Sequence, residues 1–240
     1  MANLVFIHGA GEDRRVWERQ VAFFGHAHKV LAVDLPGRGS RLADPPLPNH
    51  EENAGDVLRQ MDRAGMATGV LIGHSMGGGV ALTAALNHPE RLSGLVLVVT
   101  GARLKMHPDF LEKARQQAEH PDAPAEPPVA LATTVSPSTP PEILVWIRPR
   151  AMTAPPGTIY ADFQANNRFD VMDRLSTISL PTFIIGAEED RMAPPKFSSF
   201  MAEKIPGATL TILPKCGHYP QVEQEALFNH ALADFLSSLR

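Results

Sequence analysis

The sequence is poor in cysteine and has no long apolar run, and both absences restrict what the protein can be. Cys216 is the only cysteine among 240 residues, so an intrachain disulfide is impossible and a reducing compartment fits. No apolar run approaches the roughly 20 residues that a membrane helix needs. The first residues show neither the basic region nor the long apolar region of a signal peptide. We therefore expect a cytoplasmic protein that does not enter a membrane.

Charge patterns and ligand-binding motifs are also sparse. The formal net charge is −4, and neither a basic patch nor an acidic tail suggests a nucleic-acid partner or a disordered arm. The sequence has no Gly-x-x-x-x-Gly-Lys phosphate loop and no Gly-x-Gly-x-x-Gly after its first apolar run. It also has no Cys/His or His/Glu cluster with metal-ligand spacing. These absences predict a protein that uses no nucleic acid, metal or cofactor.

The sequence does contain short apolar runs that alternate with segments of helical spacing. Hydrophobic residues make up 44% of the chain, which is enough for a full core. The runs predict strands buried on both faces, at residues 4–7, 28–33, 68–72, 95–99, 182–185 and 208–213. Helices are predicted at residues 14–24, 51–65, 171–175, 196–204 and 221–239, and directly after residue 77. The fold class is therefore α/β, a mostly parallel sheet with helices on both faces.

This alternation stops after Thr100. Of the 22 prolines, 11 fall between Pro108 and Pro156, in a stretch with helical spacing at 109–120 and 142–148 but no strand. A long stretch of this kind inside an α/β domain is usually a functional cover. We predict that residues 103–167 form a small inserted lid on a core of residues 1–102 and 168–240. Most apolar lid residues should form the lid's own core, and a minority should line a pocket.

Residues 73–77, Gly-His-Ser-Met-Gly, lie between an apolar run and a helix-like run. Gly-x-Ser-x-Gly on such a strand-to-helix turn is typical of a serine nucleophile, because the tight turn exposes the hydroxyl at the end of the strand. Ser75 is the predicted nucleophile, and the side chain of His74 should point away from it. The pattern alone is weak, so a base, an acid and oxyanion donors must come from the rest of the chain.

His218 is the predicted base. Histidine suits this role because its pKa lies near neutrality, and His218 follows a glycine in the loop after the last predicted strand. Ligand sites in open parallel sheets lie at the carboxyl ends of the strands. His8 should shape the loop after the first strand. The remaining candidates are expected to be solvated or to cap helices: His26, His50, His88, His107, His120 and His230.

Asp190 is the predicted acid of a catalytic triad with Ser75 and His218. It would hold the imidazole in the right tautomer. It follows a strand and precedes Pro194 by four residues. Glu188 and Glu189 are interpreted as solvated, and they remain the alternatives if the loop register differs by one residue. Cys216 lies near His218 in the sequence, but a lone buried cysteine is usually a small hydrophobe.

The oxyanion hole of an acyl-transfer enzyme needs two backbone N–H groups. Met76, directly after the nucleophile, is predicted to supply one of them. Ala10, in the loop after the first strand, is predicted to supply the other. Backbone donors leave no residue signature, so both predictions rest on position.

Together these motifs resemble those of the α/β-hydrolase family. The matching segments are residues 8–11, 34–39, 73–78, 190–194 and 217–218, in the family's order of nucleophile, acid and histidine. The resemblance covers nearly the whole chain, although the lid matches in placement only. It implies a cap inserted into an eight-stranded sheet and no cofactor. Here about six strands are expected, because the N-terminal hairpin of many members is missing, as in the plant methylesterase and hydroxynitrile-lyase branch.

One departure concerns the acid. Many members place it three residues after a glycine that corresponds to Gly186, which would select Glu189. The spacing to Pro194 selects Asp190 instead, so a one-residue bulge is expected.

The resemblance implies a serine hydrolase, and three functions remain open. The first is a carboxylesterase that cleaves small to medium acyl esters through an acyl-enzyme intermediate. The second uses the same triad on a lactone, a thioester, a carbon–carbon bond or a perhydrolase substrate, because fold and triad do not distinguish these bonds. The third is a ligand-binding protein with an idle triad. The serine argues against the haloalkane-dehalogenase and epoxide-hydrolase branches, whose nucleophile is an aspartate. The oligomeric state is left open.

Overall fold

The computed structural model describes residues 1–122, 129 and 131–239. Its strands form one sheet in the order β2-β1-β3-β4-β5-β6, and every pairing is parallel. They are β1 (Asn3–Ile7), β2 (Lys29–Val33), β3 (Gly69–His74), β4 (Leu92–Val98), β5 (Thr182–Ala187) and β6 (Thr209–Leu213). The predicted α/β fold with a parallel sheet of six strands is confirmed.

Helices connect the strands and cover both faces of the sheet. In chain order they are α1 (Glu18–Phe24), α2 (His50–Arg63), α3 (Met76–Asn87), α4 (Pro108–Glu119), α5 (Leu131–Thr134), α6 (Pro141–Ile147), α7 (Pro156–Arg168), α8 (Pro195–Lys204), α9 (Pro220–Glu223) and α10 (Glu225–Ser238). Short 3₁₀ helices occur at Arg14–Trp17, Gly39–Arg41, Pro89–Arg91 and Met172–Thr177. Within the described residues, none of the helices combines the length and the apolar character that crossing a bilayer requires.

The core consists of one apolar layer on each face of the sheet. Side chains alternate between the two layers along each strand, as the period-two pleat requires. Val5 and Ile7 pack on the side of α2 and α3, whereas Leu4 and Phe6 pack on the side of α1 and α10. Trp17 is fully buried in the second layer, with its ring 5.0 Å from that of Phe6. Burial on both faces explains why the central strands are continuous apolar runs.

Two predictions about helices were incomplete. The spacing analysis missed α5 and α7, and it merged α9 and α10, which are separated at Gln224. Proline explains part of the error. The N–H groups in the first turn of a helix have no acceptor within the helix, so a proline there costs no hydrogen bond and does not prevent the helix. Five helices have proline in this place: α4, α6, α7, α8 and α9. The proline-rich stretch therefore contains α4, α5, α6 and the start of α7.

The segment predicted as a lid carries α4, α5, α6 and nearly all of α7, and it covers the carboxyl ends of the strands. Apolar side chains of α4 and α7 form a small core of their own. The segment is joined to the sheet domain by a buried ion pair, in which Arg38 Nη2 lies 2.6 Å from Asp162 Oδ1. Asp162 Oδ2 also accepts the Gly11 N–H at 2.8 Å. Helix α7 is thereby fixed to the loop that follows β1. The domain boundaries at residues 103 and 167 remain a prediction.

Candidate active site

Ser75 lies on the sharp turn between β3 and α3. Its φ of 51° and ψ of −117° are strained for a residue with a side chain. The turn is possible only because two glycines flank it. A Cβ on Gly73 would lie 2.2 Å from the Gly77 carbonyl oxygen, and a Cβ on Gly77 would lie 2.4 Å from that of Ile7. The Ser75 N–H donates to the Val98 carbonyl at 2.9 Å, which fixes the strained backbone.

The structure brings Ser75, His218 and Asp190 together from three separate strand ends. Ser75 Oγ lies 2.9 Å from His218 Nε2, and His218 Nδ1 lies 2.7 Å from Asp190 Oδ2. A carboxylate only accepts hydrogen bonds, so the proton of a neutral imidazole belongs on Nδ1 and leaves Nε2 free to accept the serine proton. The other Asp190 oxygen accepts the N–H groups of Met192 and Ala193 at 2.7 and 3.0 Å. This arrangement can deprotonate a hydroxyl nucleophile.

The ionisation of the pair follows from burial and charge. Burial by itself lowers the pKa of His218, but the charge and hydrogen bond of Asp190 outweigh it and raise that pKa above its ordinary value. Burial raises the pKa of Asp190, but the charge and hydrogen bond of His218 and the two N–H donors lower it overall. Asp190 is therefore held as a carboxylate, and it stabilises the imidazolium that forms when His218 accepts a proton.

The alternative acids lie elsewhere. Glu188 accepts the Lys215 N–H at 3.1 Å, and the half-buried Glu189 accepts the Ser136 hydroxyl, so the interpretation of Glu189 as simply solvated was wrong. The expected one-residue bulge does not interrupt β5, which pairs with β6 in unbroken register up to Ala187. The extra residue is accommodated in the turn that follows, where the Asp190 N–H points back to the Ala187 carbonyl at 3.4 Å.

The predicted oxyanion donors both lie at the pocket end of the sheet. Met76 is the first residue of α3, so its N–H has no acceptor within the helix. Ala10 lines the same cavity as Ser75, and its N–H has no acceptor among the residues that the structure describes. The assignment of Ala10 and Met76 as the oxyanion donors remains a prediction.

Three other histidines have structural partners. His8 Nε2 accepts the Leu35 N–H at 3.2 Å and its Nδ1 donates to the Gly9 carbonyl at 2.8 Å, so it braces the loop after β1. His74 makes no hydrogen bond to Ser75 and instead contacts Glu12 and the His218 carbonyl. The expectation for His50 was wrong, because it is only 2% exposed and stacks on Phe169, and burial lowers its pKa to about 4.

A cavity of about 250 Å³ opens over Ser75 and His218. Its walls are mainly apolar lid side chains, with Met192 from the sheet domain. The polar groups that line it include Glu12, Thr134, Arg148, Asn166 and Tyr219. Sequence reasoning missed Glu12 and Arg148. The only signal for Glu12 was its place four residues after His8, in the loop that carries Ala10.

Cys216 and the acidic side chains suggest no competing chemistry. The Cys216 thiol is fully buried, and burial raises its pKa to about 12, which makes it a poor nucleophile. Within residues 1–122, 129 and 131–239, His, Cys, Asp and Glu side chains do not form groups of three or more that could hold a metal ion.

Comparisons with known proteins agree with this geometry. The profile of the alpha/beta hydrolase family matches residues 4–231. An esterase from Thermogutta terrifontis superposes with a TM-score of 0.86 at 30% identity, over 100% of this chain and 90% of its own. An enol-lactonase from Burkholderia xenovorans LB400 superposes with a TM-score of 0.87 at 26% identity, over 98% and 91%. A provisionally named carbamate hydrolase, RutD, from Variovorax paradoxus is 30% identical over 250 residues, which cover 95% of this chain and 89% of the relative. The chain therefore belongs to the alpha/beta hydrolase family.

Proposed function

We propose that the protein is a carboxylesterase that cleaves small to medium acyl esters by serine catalysis. The observation that carries this proposal is the hydrogen-bonded series Ser75, His218 and Asp190 at the base of a largely apolar cavity. The family membership supports a hydrolase, and the similarity to an esterase supports the ester bond as the target. The reaction needs no cofactor, because the chain itself supplies the nucleophile, the base and the donors.

In the first half-reaction, Ser75 Oγ attacks the ester carbonyl carbon while His218 Nε2 takes the hydroxyl proton. The carbonyl oxygen becomes an oxyanion, for which the N–H groups of Ala10 and Met76 are the donors. Collapse of this intermediate breaks the bond to the alkoxy group. His218 gives its proton to the departing alcohol, and the acyl group stays on Ser75.

In the second half-reaction, water replaces the alcohol. His218 takes a proton from the water while the water oxygen attacks the acyl carbon. The N–H groups of Ala10 and Met76 are again the donors to the oxyanion that forms. The bond to Ser75 Oγ then breaks, the serine recovers its proton from His218, and the carboxylic acid leaves. Asp190 remains ionised throughout and holds the imidazole in place.

The cavity sets the size and character of the substrate. Pockets for small ligands are mostly apolar, with a few placed polar groups, and the cavity over Ser75 has this character. Lid side chains such as Met106, Met152 and Phe163 fit an aliphatic or small aromatic group. The proposed partner is therefore a small-molecule ester.

A lactone is the second candidate substrate, and the likeness to an enol-lactonase favours it. A lactone is a cyclic ester, so the same attack, oxyanion and proton transfers apply, and the alkoxide simply stays attached to the acyl group. Cleavage of thioesters or carbon–carbon bonds and perhydrolysis can use the same triad. The carbamate bond named for one relative belongs to the same list.

A panel of p-nitrophenyl esters of increasing acyl length, with a parallel panel of lactones, tests the proposal. We expect ester turnover by the wild type and at least a thousandfold loss in Ser75→Ala, since residual catalysis without the nucleophile is small. Ser93→Ala, at an exposed position of β4, is the matched control and should retain full activity. Undiminished ester turnover in Ser75→Ala contradicts the mechanism, and turnover of lactones alone replaces the ester by the second candidate.

Labelling by a fluorophosphonate separates an enzyme from a ligand-binding protein with an idle triad. An active Ser75 should be labelled stoichiometrically, and the label should be absent from Ser75→Ala. A wild-type protein that stays unlabelled would favour the binding protein.

A further inference from the structure

Glu12 is a buried carboxylate with no place in the acyl-transfer steps described above. It is 2% exposed and lines the cavity over Ser75. Its Oε2 accepts the Gly9 N–H at 2.7 Å and faces His74 Nδ1 at 3.1 Å. A carboxylate with two donors around it is stabilised in its charged form.

His74 extends this contact to the other side of the site. Its Nε2 lies 2.7 Å from the carbonyl oxygen of His218, which only accepts hydrogen bonds, so Nε2 must donate. Nδ1 faces the Glu12 carboxylate. An imidazole that donates from both nitrogens is an imidazolium. His74 is completely buried, and a buried cation requires a counter-ion such as Glu12.

The Glu12–His74 contact connects two loops of the site that must be aligned, the loop after β1 and the loop that carries His218. Gly9 precedes Ala10, the proposed oxyanion donor, and the His218 carbonyl belongs to the proposed base. The contact is tight, because a Cβ on Gly9 would lie 2.9 Å from Glu12 Oε2 and 3.0 Å from His74 Nδ1. A shift of the bridge would therefore move the oxyanion loop relative to the imidazole.

We infer that the Glu12–His74 pair is a buried ionic bridge that positions the oxyanion loop against the catalytic histidine loop, with Glu12 a positioning residue for acyl transfer. The inference rests on the proposed serine-hydrolase function. The groups that face His74 are Glu12, the His218 ring at 5.0 Å, the Tyr219 ring at 5.5 Å and the edge of Trp17 at 6.2 Å. Of these, Glu12 alone can carry the charge that an imidazolium needs beside it.

Glu12→Gln keeps the shape of the side chain and removes its charge. The amide cannot neutralise an imidazolium, so His74 becomes neutral and has one N–H for two acceptors. Either one of the two His74 bonds is then lost, or the amide NH₂ turns toward Nδ1 and the bond from the Gly9 N–H is lost. Because the misalignment affects the transition state, we expect kcat to fall about ten- to a hundredfold while KM changes less than about threefold.

The experiment has two parts. The first measures ¹⁵N shifts of histidine-labelled wild type and Glu12→Gln without substrate, between pH 6 and 9. We expect the His74 ring to carry a proton on both nitrogens in the wild type and on one nitrogen in the variant. This part needs no turnover, so its result is independent of whether esters are the substrate. A wild type without such a histidine overturns the ionic bridge even if the variant does not fold.

The second part measures ester kinetics normalised to the fraction labelled by fluorophosphonate, so that unfolded protein does not count as a catalytic effect. Glu225→Gln is the matched control, because it removes a carboxylate from the half-buried pair with Arg19, and it should keep wild-type kcat and KM. A normalised kcat of Glu12→Gln within twofold of the wild type overturns the positioning role. If Ser75→Ala retained turnover, the proposed function would fail while the ¹⁵N result would still stand.

Discussion

Gly77 shows how little freedom single residues have around the nucleophile. Its place in the turn is enclosed by backbone, with the carbonyl oxygens of Ile7 and His8 both within 2.6 Å of where a Cβ would be. Backbone atoms cannot rotate away as the end of a side chain can. The turn that exposes Ser75 therefore depends on the absence of a side chain two residues later.

Gly77→Ala should disrupt the turn and reduce both stability and ester turnover. We expect a loss of about 1–3 kcal/mol in the free energy of unfolding, the usual cost of an overpacked site, measured by urea denaturation. Gly157→Ala is the control, because no atom lies within 4 Å of its added Cβ and it lies in the first turn of α7. It should be neutral or stabilising by about 0.4–1 kcal/mol. Equal effects of both substitutions would argue against backbone crowding.

The pH dependence of turnover should follow His218. The proposed base, His218, can accept a proton only when it is neutral. Asp190 raises its pKa above 6.5, so kcat/KM should fall as the pH drops through a value above 6.5. Asp190→Asn removes the charge that raises this pKa. It should therefore move the acid limb to lower pH and reduce kcat by about 10⁴, since the amide favours the wrong tautomer. A pH–rate profile of both proteins measures this, and an acid limb that moves upward would contradict it.

Arg148 is the cation at the edge of the cavity. It has no ion pair among the residues that the structure describes, whereas the nearby Arg150 is paired with Glu18 at 2.6 Å. Arg148→Gln should raise KM about fivefold for esters that carry a carboxylate, which corresponds to an exposed ion pair of about 1 kcal/mol. KM for neutral esters should not change. Arg63→Gln, at the end of α2, is the control, and equal shifts for both ester classes would refute a charge effect.

Helix α7 is the element that determines how the lid is held. One side chain, Asp162, binds the Arg38 guanidinium and the Gly11 N–H at once. Burial nonetheless raises the pKa of Asp162, because desolvation outweighs the attraction of Arg38. Nε and Nη1 of Arg38 are buried without hydrogen-bond partners in the described residues. The Arg38–Asp162 ion pair is therefore buried at a high desolvation penalty. Removal of either partner should leave a buried charge without a counter-ion and lower the free energy of unfolding.

Asp162→Asn should leave the Arg38 charge buried without a counter-ion. We expect a loss of about 3–5 kcal/mol in the free energy of unfolding, as for other buried pairs that lose one partner. Asp62→Asn, in the exposed pair with Arg91, is the control and should cost about 0–1 kcal/mol. Urea denaturation of both variants gives the comparison. A loss of less than 1 kcal/mol for Asp162→Asn would show that the pair does not hold the lid.

At the scale of the whole molecule, the sequence predicted what depends on chain order and local pattern. Continuous apolar runs indicated the buried parallel strands, and residues at their ends indicated Ser75, Asp190 and His218 as candidates. Interactions between distant segments left no such pattern. His50 is buried against Phe169 and Gly79, which lie far from it in the sequence. Glu12 contacts His74, which is also distant in the sequence. Proline at helix starts concealed α7, since the same residue is also typical of loops.

The double role of Asp162 also limits how this protein can be recombined with its relatives. If residues 103–167 were exchanged with the corresponding segment of a relative, Asp162 would be separated from Arg38 and from the loop that carries Gly11. A junction before Pro156 keeps α7 with its own Arg38 and Gly11, but it replaces α4, whose apolar side chains form a small core with those of α7. An exchange that preserves both contacts of α7 must therefore move α4, α7 and the loop after β1 together.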